Sequence, residues 1–183
     1  MSVLFINACV RENSRTLVLA KNVMKDIHDE ITELNVCAEG LEPLGAELLE
    51  KREGLIKEGK SDDPMLRYAK QFAEADEIVI AAPFWDLSFP AILKIYFEQI
   101  TVSGITFKYN EGRPIGLCKA KSLTYVTTSG GPIFADFGYT DVKALAQGFY
   151  GIGKTVAVRA TMLDVEMISA RDLLDRAKIT VIE

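Results

Sequence analysis

Three short segments of this sequence hold residue types suited to binding or transforming a ligand. The first is Cys9-Val10-Arg11-Glu12-Asn13-Ser14-Arg15-Thr16, which links an apolar run to a stretch of helical spacing. The first N–H groups of a helix have no partner within it and carry the positive end of its dipole, so this junction suits an anion. Ser14 and Thr16 add hydroxyls, while Arg11 and Arg15 add positive charge. Ser14 is equally well explained as a helix N-cap alone. The segment carries neither the glycines of a dinucleotide fingerprint nor the Gly-Lys-Ser/Thr of a P-loop.

The second segment, Pro83-Phe84-Trp85-Asp86-Leu87-Ser88-Phe89-Pro90, sets the only Trp and two Phe between two prolines. Aromatics there either cover the core or form a wall for a flat ligand, and backbone donors of the loop can meet a heteroaromatic edge. The third segment, Thr128-Ser129-Gly130-Gly131-Pro132, brings two glycines that permit close backbone approach. Beyond it, Asp136 and Tyr139 are candidates to line a substrate face. Together the three segments offer a phosphate cradle, an aromatic wall and exposed amides. That combination suits a phosphorylated, planar, redox-active cofactor.

The elements that must position these segments alternate between strand and helix. Val3-Leu4-Phe5-Ile6 is a continuous apolar run, typical of parallel strands covered on both faces. Leu17, Ala20, Met24 and Ile27 then fall on one helical stripe. A weaker strand follows over 33–36. Residues 38–64 are a polar excursion with a charged helical piece over 47–58. Helix is expected over 65–75, ahead of Ile78-Val79-Ile80-Ala81-Ala82, the strongest strand signal. Pro90 is placed to open a helix whose apolar face is Ile92, Leu93, Tyr96, Phe97 and Ile100. An extended segment over 105–109, a strand over 122–127, a helix over 142–150, a strand over 155–158 and a helix over 169–177 complete the order. The alternation predicts an α/β fold, an open doubly wound sheet with its ligand at the carboxyl ends of the strands.

Composition narrows the function classes. A chain of 183 residues, 49% hydrophobic and 26% charged, is expected to form one globular domain, not a disordered or fibrous chain. A formal net charge of −5 with no basic stripe argues against nucleic acid and anionic membrane as partners. No apolar stretch reaches the ~18 residues of a membrane span, and the N-terminal apolar run lacks the features of a signal peptide. Three cysteines, Cys9, Cys37 and Cys118, are an odd number without paired spacing, which fits a reducing cytoplasm. The single histidine, His28, is expected at the surface, so no histidine triad or histidine-rich metal site is expected.

The sequence resembles the flavodoxin-like NAD(P)H:quinone oxidoreductase and FMN-dependent azoreductase family. Ile80-Ala81-Ala82-Pro83-Phe84-Trp85 through Phe89-Pro90, then Leu93-Lys94 and Phe97, resembles the family's flavin-ring motif and its following helix. Gly104-Ile105-Thr106-Phe107-Lys108-Tyr109 is similar to its Gly-x-Thr-Phe-x-Tyr segment, and Ser14-Arg15-Thr16 to its Ser-x-Ser phosphate motif. Thr128-Ser129-Gly130-Gly131 stands where the family has Ser-Arg-Gly-Gly, without that arginine, and Asp86 replaces an amide residue.

The resemblance implies one flavodoxin-like FMN-binding domain over 1–183, a five-stranded parallel sheet of order 2-1-3-4-5 with helices on both faces, and a homodimer. It implies FMN held by Arg11, Ser14, Arg15, Thr16, Pro83, Phe84, Trp85, Asp86, Leu87, Thr128, Ser129, Gly130 and Gly131. It also implies a ping-pong cycle passing two electrons from NADH or NADPH to a quinone, azo or nitroaromatic acceptor. A flavodoxin-type electron carrier is the alternative, although Cys9–Thr16 lacks the glycine of a carrier's phosphate loop. Cys9, five residues and Arg15 also resemble the nucleophile loop of low-molecular-weight tyrosine phosphatases, whose late Asp-Pro acid is missing; Cys9 is otherwise a small buried residue at a strand end.

Overall fold

The apolar runs pair as parallel strands, and the helices between them cover both faces of the sheet. The computed structural model describes residues 1–165, 169, 171–172 and 178–182. In chain order the strands are β1 (Ser2–Asn7), β2 (Glu30–Asn35), β3 (Glu77–Ala81), β4 (Phe107–Asn110), β5 (Arg113–Gly116), β6 (Ser122–Thr128), β7 (Lys154–Thr161) and β8 (Lys178–Ile182). The helices are α1 (Arg15–Met24), α2 (Ala46–Lys57), α3 (Arg67–Glu74), α4 (Ala91–Ile100) and α5 (Phe137–Leu145).

The sheet order is β2-β1-β3-β6-β7-β8, six strands in place of the expected five-stranded parallel sheet of order 2-1-3-4-5. The difference is β8. It pairs antiparallel with β7, Val181 opposite Val158, and makes the sheet mixed. β2, β1, β3, β6 and β7 are parallel. β8 is a short β-branched run at a sheet edge, where a single paired side demands little of the sequence. The helix expected over 169–177 lies, apart from residues 169, 171 and 172, outside the described residues.

Strand alternation sends side chains to two packed layers. Val3, Phe5, Val79 and Val126 pack with Leu19, Ala20 and Met24 of α1. Leu4, Ile6, Ile78 and Ile80 pack on the other face with Phe72, Leu93, Tyr96 and Phe97 of α3 and α4. Each fully buried side chain of this size contributes about 1.5–3 kcal/mol. The polar excursion behaves differently: α2 contains no buried residue, and its Arg52 donates to Glu98 O at 2.7 Å.

Local chemistry sets several element ends. Asp136 caps α5 by accepting the Tyr139 N–H at 2.9 Å, so this helix starts at Phe137, earlier than expected. It passes into a π-turn over Ala146–Tyr150 that ends at Gly151, φ 79°. Pro90 stands at the N-cap of α4 rather than in its first turn. The extended segment near 105–109 becomes β4 and pairs with β5 across Glu111 and Gly112, both at positive φ as a two-residue hairpin turn requires. β5 was not legible because Arg113-Pro114-Ile115-Gly116 carries a proline and a glycine. Among the described residues, no helix is long and apolar enough to cross a membrane.

Candidate active site

The carboxyl ends of β1, β3 and β6 open into one crevice of about 270 Å³. Each strand hands on to one of the three chemistry-bearing segments. Arg11, Ser14, Arg15, Thr16, Pro83, Phe84, Trp85, Thr128, Ser129 and Gly130 line it together.

The floor is fixed by hydrogen bonds among these segments. Thr16 and Thr128 share a hydroxyl–hydroxyl bond of 2.6 Å, both side chains being buried. Phe84 N–H donates to Thr128 O at 3.0 Å, which holds the aromatic loop against the end of β6. Ser14 is the N-cap of α1, its hydroxyl accepting Leu17 N–H at 3.4 Å. Capping by Ser14 leaves the Arg15 and Thr16 N–H groups without a protein acceptor among the described residues.

Two arginines stand at this helix start in different states. Arg15 donates to Leu163 O at 3.0 Å and pairs with the Asp164 carboxylate. Arg11 has no carboxylate partner among the described residues, so its charge is available to a ligand. Val10 and Asn13 of the first segment also line the crevice, and Asp164, outside all three segments, joins them. Nothing local marks Asp164, because its partner is 149 positions away. The Asp164 carboxylate also lies over Gly130, with Oδ2 1.9 Å from where a Cβ would stand. Any side chain at this position would have to push that carboxylate aside.

Asp86, Leu87 and Gly131 do not line the crevice, although their N–H groups donate to no protein group among the described residues. Trp85 and Ser88 exchange two backbone hydrogen bonds around Asp86 (φ 50°) and Leu87 (φ 65°). Two non-glycine residues in the left-handed region cost roughly 1–2 kcal/mol each. The loop is held to α5 by Phe137 N–H donating to Leu87 O at 3.0 Å.

Asp136 and Tyr139 do not reach the crevice. Asp136 caps α5 and pairs with Arg159, both side chains largely buried. Tyr139 is buried and donates its hydroxyl to Thr155 O at 3.1 Å. Their roles here are capping and packing.

A family model described as the flavodoxin-like fold matches residues 1–178. The chain belongs to that family. Among flavodoxin-like relatives, the FMN-dependent NADH:quinone oxidoreductase of Coprothermobacter proteolyticus is 38% identical over 176 residues, 89% of this chain and 87% of that one. The FMN-dependent NADH:quinone oxidoreductase 2 of Clostridium acetobutylicum is 39% identical with the same coverage. The crystal structure of an azoreductase from Bacillus anthracis superposes with a TM-score of 0.77 at 26% identity, covering 96% of this chain and 93% of that one.

This flavodoxin-like chain does not present a phosphatase loop. Cys9 is 6% exposed, and burial pushes its thiol up to about 11, so little thiolate exists at neutral pH. It does not line the crevice, and Arg15 is already engaged by Leu163 and Asp164.

Proposed function

We propose that this chain is an FMN-dependent NADH:quinone oxidoreductase that also reduces azo compounds, with residues 1–183 acting as one FMN-binding domain. The observation that carries the reading is the convergence of unpaired α1 amides, the Arg11 cation and the Phe84–Trp85 pair in one crevice. It occurs in a chain with relatives of that name along 89% of its length.

The residues fit the cofactor. A phosphate needs donors and positive charge, and the Arg15 and Thr16 amides, the Ser14 hydroxyl and Arg11 supply both. A flat ring needs an apolar flank, and Pro83, Phe84 and Trp85 supply it. Its polar edge needs donors, and the amides of Asp86, Leu87, Gly130 and Gly131, without a protein acceptor among the described residues, belong to the two loops that bound the crevice. Thr128 and Ser129 contribute through position, since their hydroxyls already bond Thr16 and Gly131 O.

When bound, FMN supplies the capacity to accept a hydride from NADH and return two electrons to an acceptor. The chain's part is to orient the ring and to set fixed amide dipoles where negative charge develops, which needs no acid or base side chain. The oxidised nicotinamide departs before the acceptor enters, a ping-pong order. A homodimer is supported by Phe134 and Phe137, 81% and 61% exposed around the third segment. Three cysteines without paired spacing support a cytoplasmic location.

The test is steady-state turnover of NADH with a benzoquinone and with an azo dye, with and without added FMN. The reading predicts FMN-dependent turnover and parallel double-reciprocal lines. Turnover indifferent to FMN refutes the cofactor, and intersecting lines refute the order.

A further inference from the structure

We propose that Cys9 and Cys37 form a redox-active dithiol, a site at which a peroxide closes a reversible disulfide. This goes beyond the oxidoreductase reading and does not depend on it. Asn7 and Asn35 are matched neighbours at the ends of parallel β1 and β2, and each strand places a cysteine two residues later. The two chains leave the sheet alike. Asn7 Oδ1 accepts the Cys9 N–H at 3.0 Å, and Asn35 Oδ1 accepts the Cys37 N–H at 3.1 Å. Between them, Val36 N–H donates to Asn7 O at 3.1 Å and keeps the strands joined past their ends.

Both cysteines line one crevice of about 390 Å³, separate from the cofactor crevice across Val10 and Arg11. Asn7 and Asn35, the last matched pair of the two strands, lie about 4.8 Å apart, and a disulfide between the cysteines two residues on needs α-carbons within roughly 4.4–6.8 Å of each other. The two thiols also differ in access. Cys37 is exposed and Cys9 is buried, the arrangement of an attacking thiol with a resolving partner behind it.

The chemistry balances. The Cys37 sulfur attacks one peroxide oxygen, the O–O bond breaks, and water and a Cys37 sulfenic acid result. The Cys9 sulfur then attacks the Cys37 sulfur, the S–O bond breaks, and a second water leaves with the Cys9 proton. Two thiols supply the two electrons that reduce the peroxide. Burial raises both thiols, and at Cys9 Glu33, which accepts from Asn7 Nδ2 at 2.9 Å, adds to this, so both the attack on peroxide and the closure are slow at neutral pH. Reductant reverses it.

The experiment treats the purified holoprotein with hydrogen peroxide, then counts free thiols after denaturation, weighs the intact chain and maps non-reduced peptides. The expected result is a fall from three thiols to one, a chain lighter by two hydrogens and a peptide pair joining Cys9 to Cys37, restored by dithiothreitol. Cys37→Ser, at an exposed position, is expected to fold and keep both remaining thiols unbridged. Three thiols surviving, Cys37 stopping at a sulfinic acid, or a bridge that includes Cys118 would each overturn the proposal.

Discussion

The hydroxyls of Thr16 and Thr128 meet at 2.6 Å beneath the crevice, tying the start of α1 to the end of β6. One bond therefore fixes the distance between the anion-binding helix end and the glycine loop. Thr16→Val keeps the shape but leaves the buried Thr128 hydroxyl unpaired. The expected cost is about 1–3 kcal/mol of stability, read by urea denaturation, together with weaker FMN binding. Unchanged stability would show that the bond carries nothing.

Arg11 and Arg15 are predicted to differ in their effect on cofactor binding. Arg11 has no competing carboxylate among the described residues, whereas Arg15 is engaged by Asp164. Arg11→Ala is expected to weaken FMN by roughly 10–100-fold, from the loss of about 1.5–3 kcal/mol for a charged hydrogen bond. Riboflavin, which lacks the phosphate, is expected to bind wild type and variant alike. Equal losses for both ligands, measured by fluorescence quenching, would move the phosphate elsewhere.

Two glycines offer a contrast. A Cβ at Gly116 would meet backbone atoms of Tyr150 and Gly151 at 2.1 Å, and neither can step aside. Gly116→Ala is expected to cost more than about 3 kcal/mol, at the upper end of single-residue effects. A Cβ at Gly130 meets only the Asp164 carboxylate, an exposed side chain that can rotate away. Its partner Arg15 then loses an ion pair worth about 0–1 kcal/mol. Gly130→Ala is thus expected to fold nearly normally but to disturb cofactor affinity, a separation that thermal melts and FMN titration resolve.

Much of this arrangement was legible in the sequence because it rests on local signals. Val3–Ile6 and Ile78–Ala82 are apolar at every position, as strands covered on both faces must be, and the segments after them had to carry the ligand. Some differences are local, such as the Asp136 cap that starts α5 early, and others involve partners distant in sequence. β8 takes its pairing from β7, and Asp164 takes its place in the crevice from Arg15. Asp136 and Tyr139 are the reverse case. Their polar groups suited a substrate face, but Arg159 and Thr155 of β7 claim them, and no local pattern reports that.

The turn at Asp86 and Leu87 predicts an unusual order of stabilities. Leu87 sits at φ 65°, where glycine is at ease and a β-branched residue is not. Leu87→Gly sheds a strain of about 1–2 kcal/mol, which offsets the lost half-buried side chain. It is expected to stay within about 1 kcal/mol of wild type. Leu87→Ile, apolar and of equal size, is expected to be the worse variant by denaturant titration. The opposite order would mean that packing, not backbone conformation, sets the loop.

The crevice at the ends of β1, β3 and β6 is expected to hold a flavin that NADH reduces. The most direct measurement is the visible spectrum of the purified protein, saturated with FMN and freed of excess, then given NADH without oxygen. The expected result is a bound oxidised-flavin spectrum that bleaches in one rapid step and returns when a quinone is added. A protein that retains no flavin, or whose flavin NADH leaves unchanged, would contradict it.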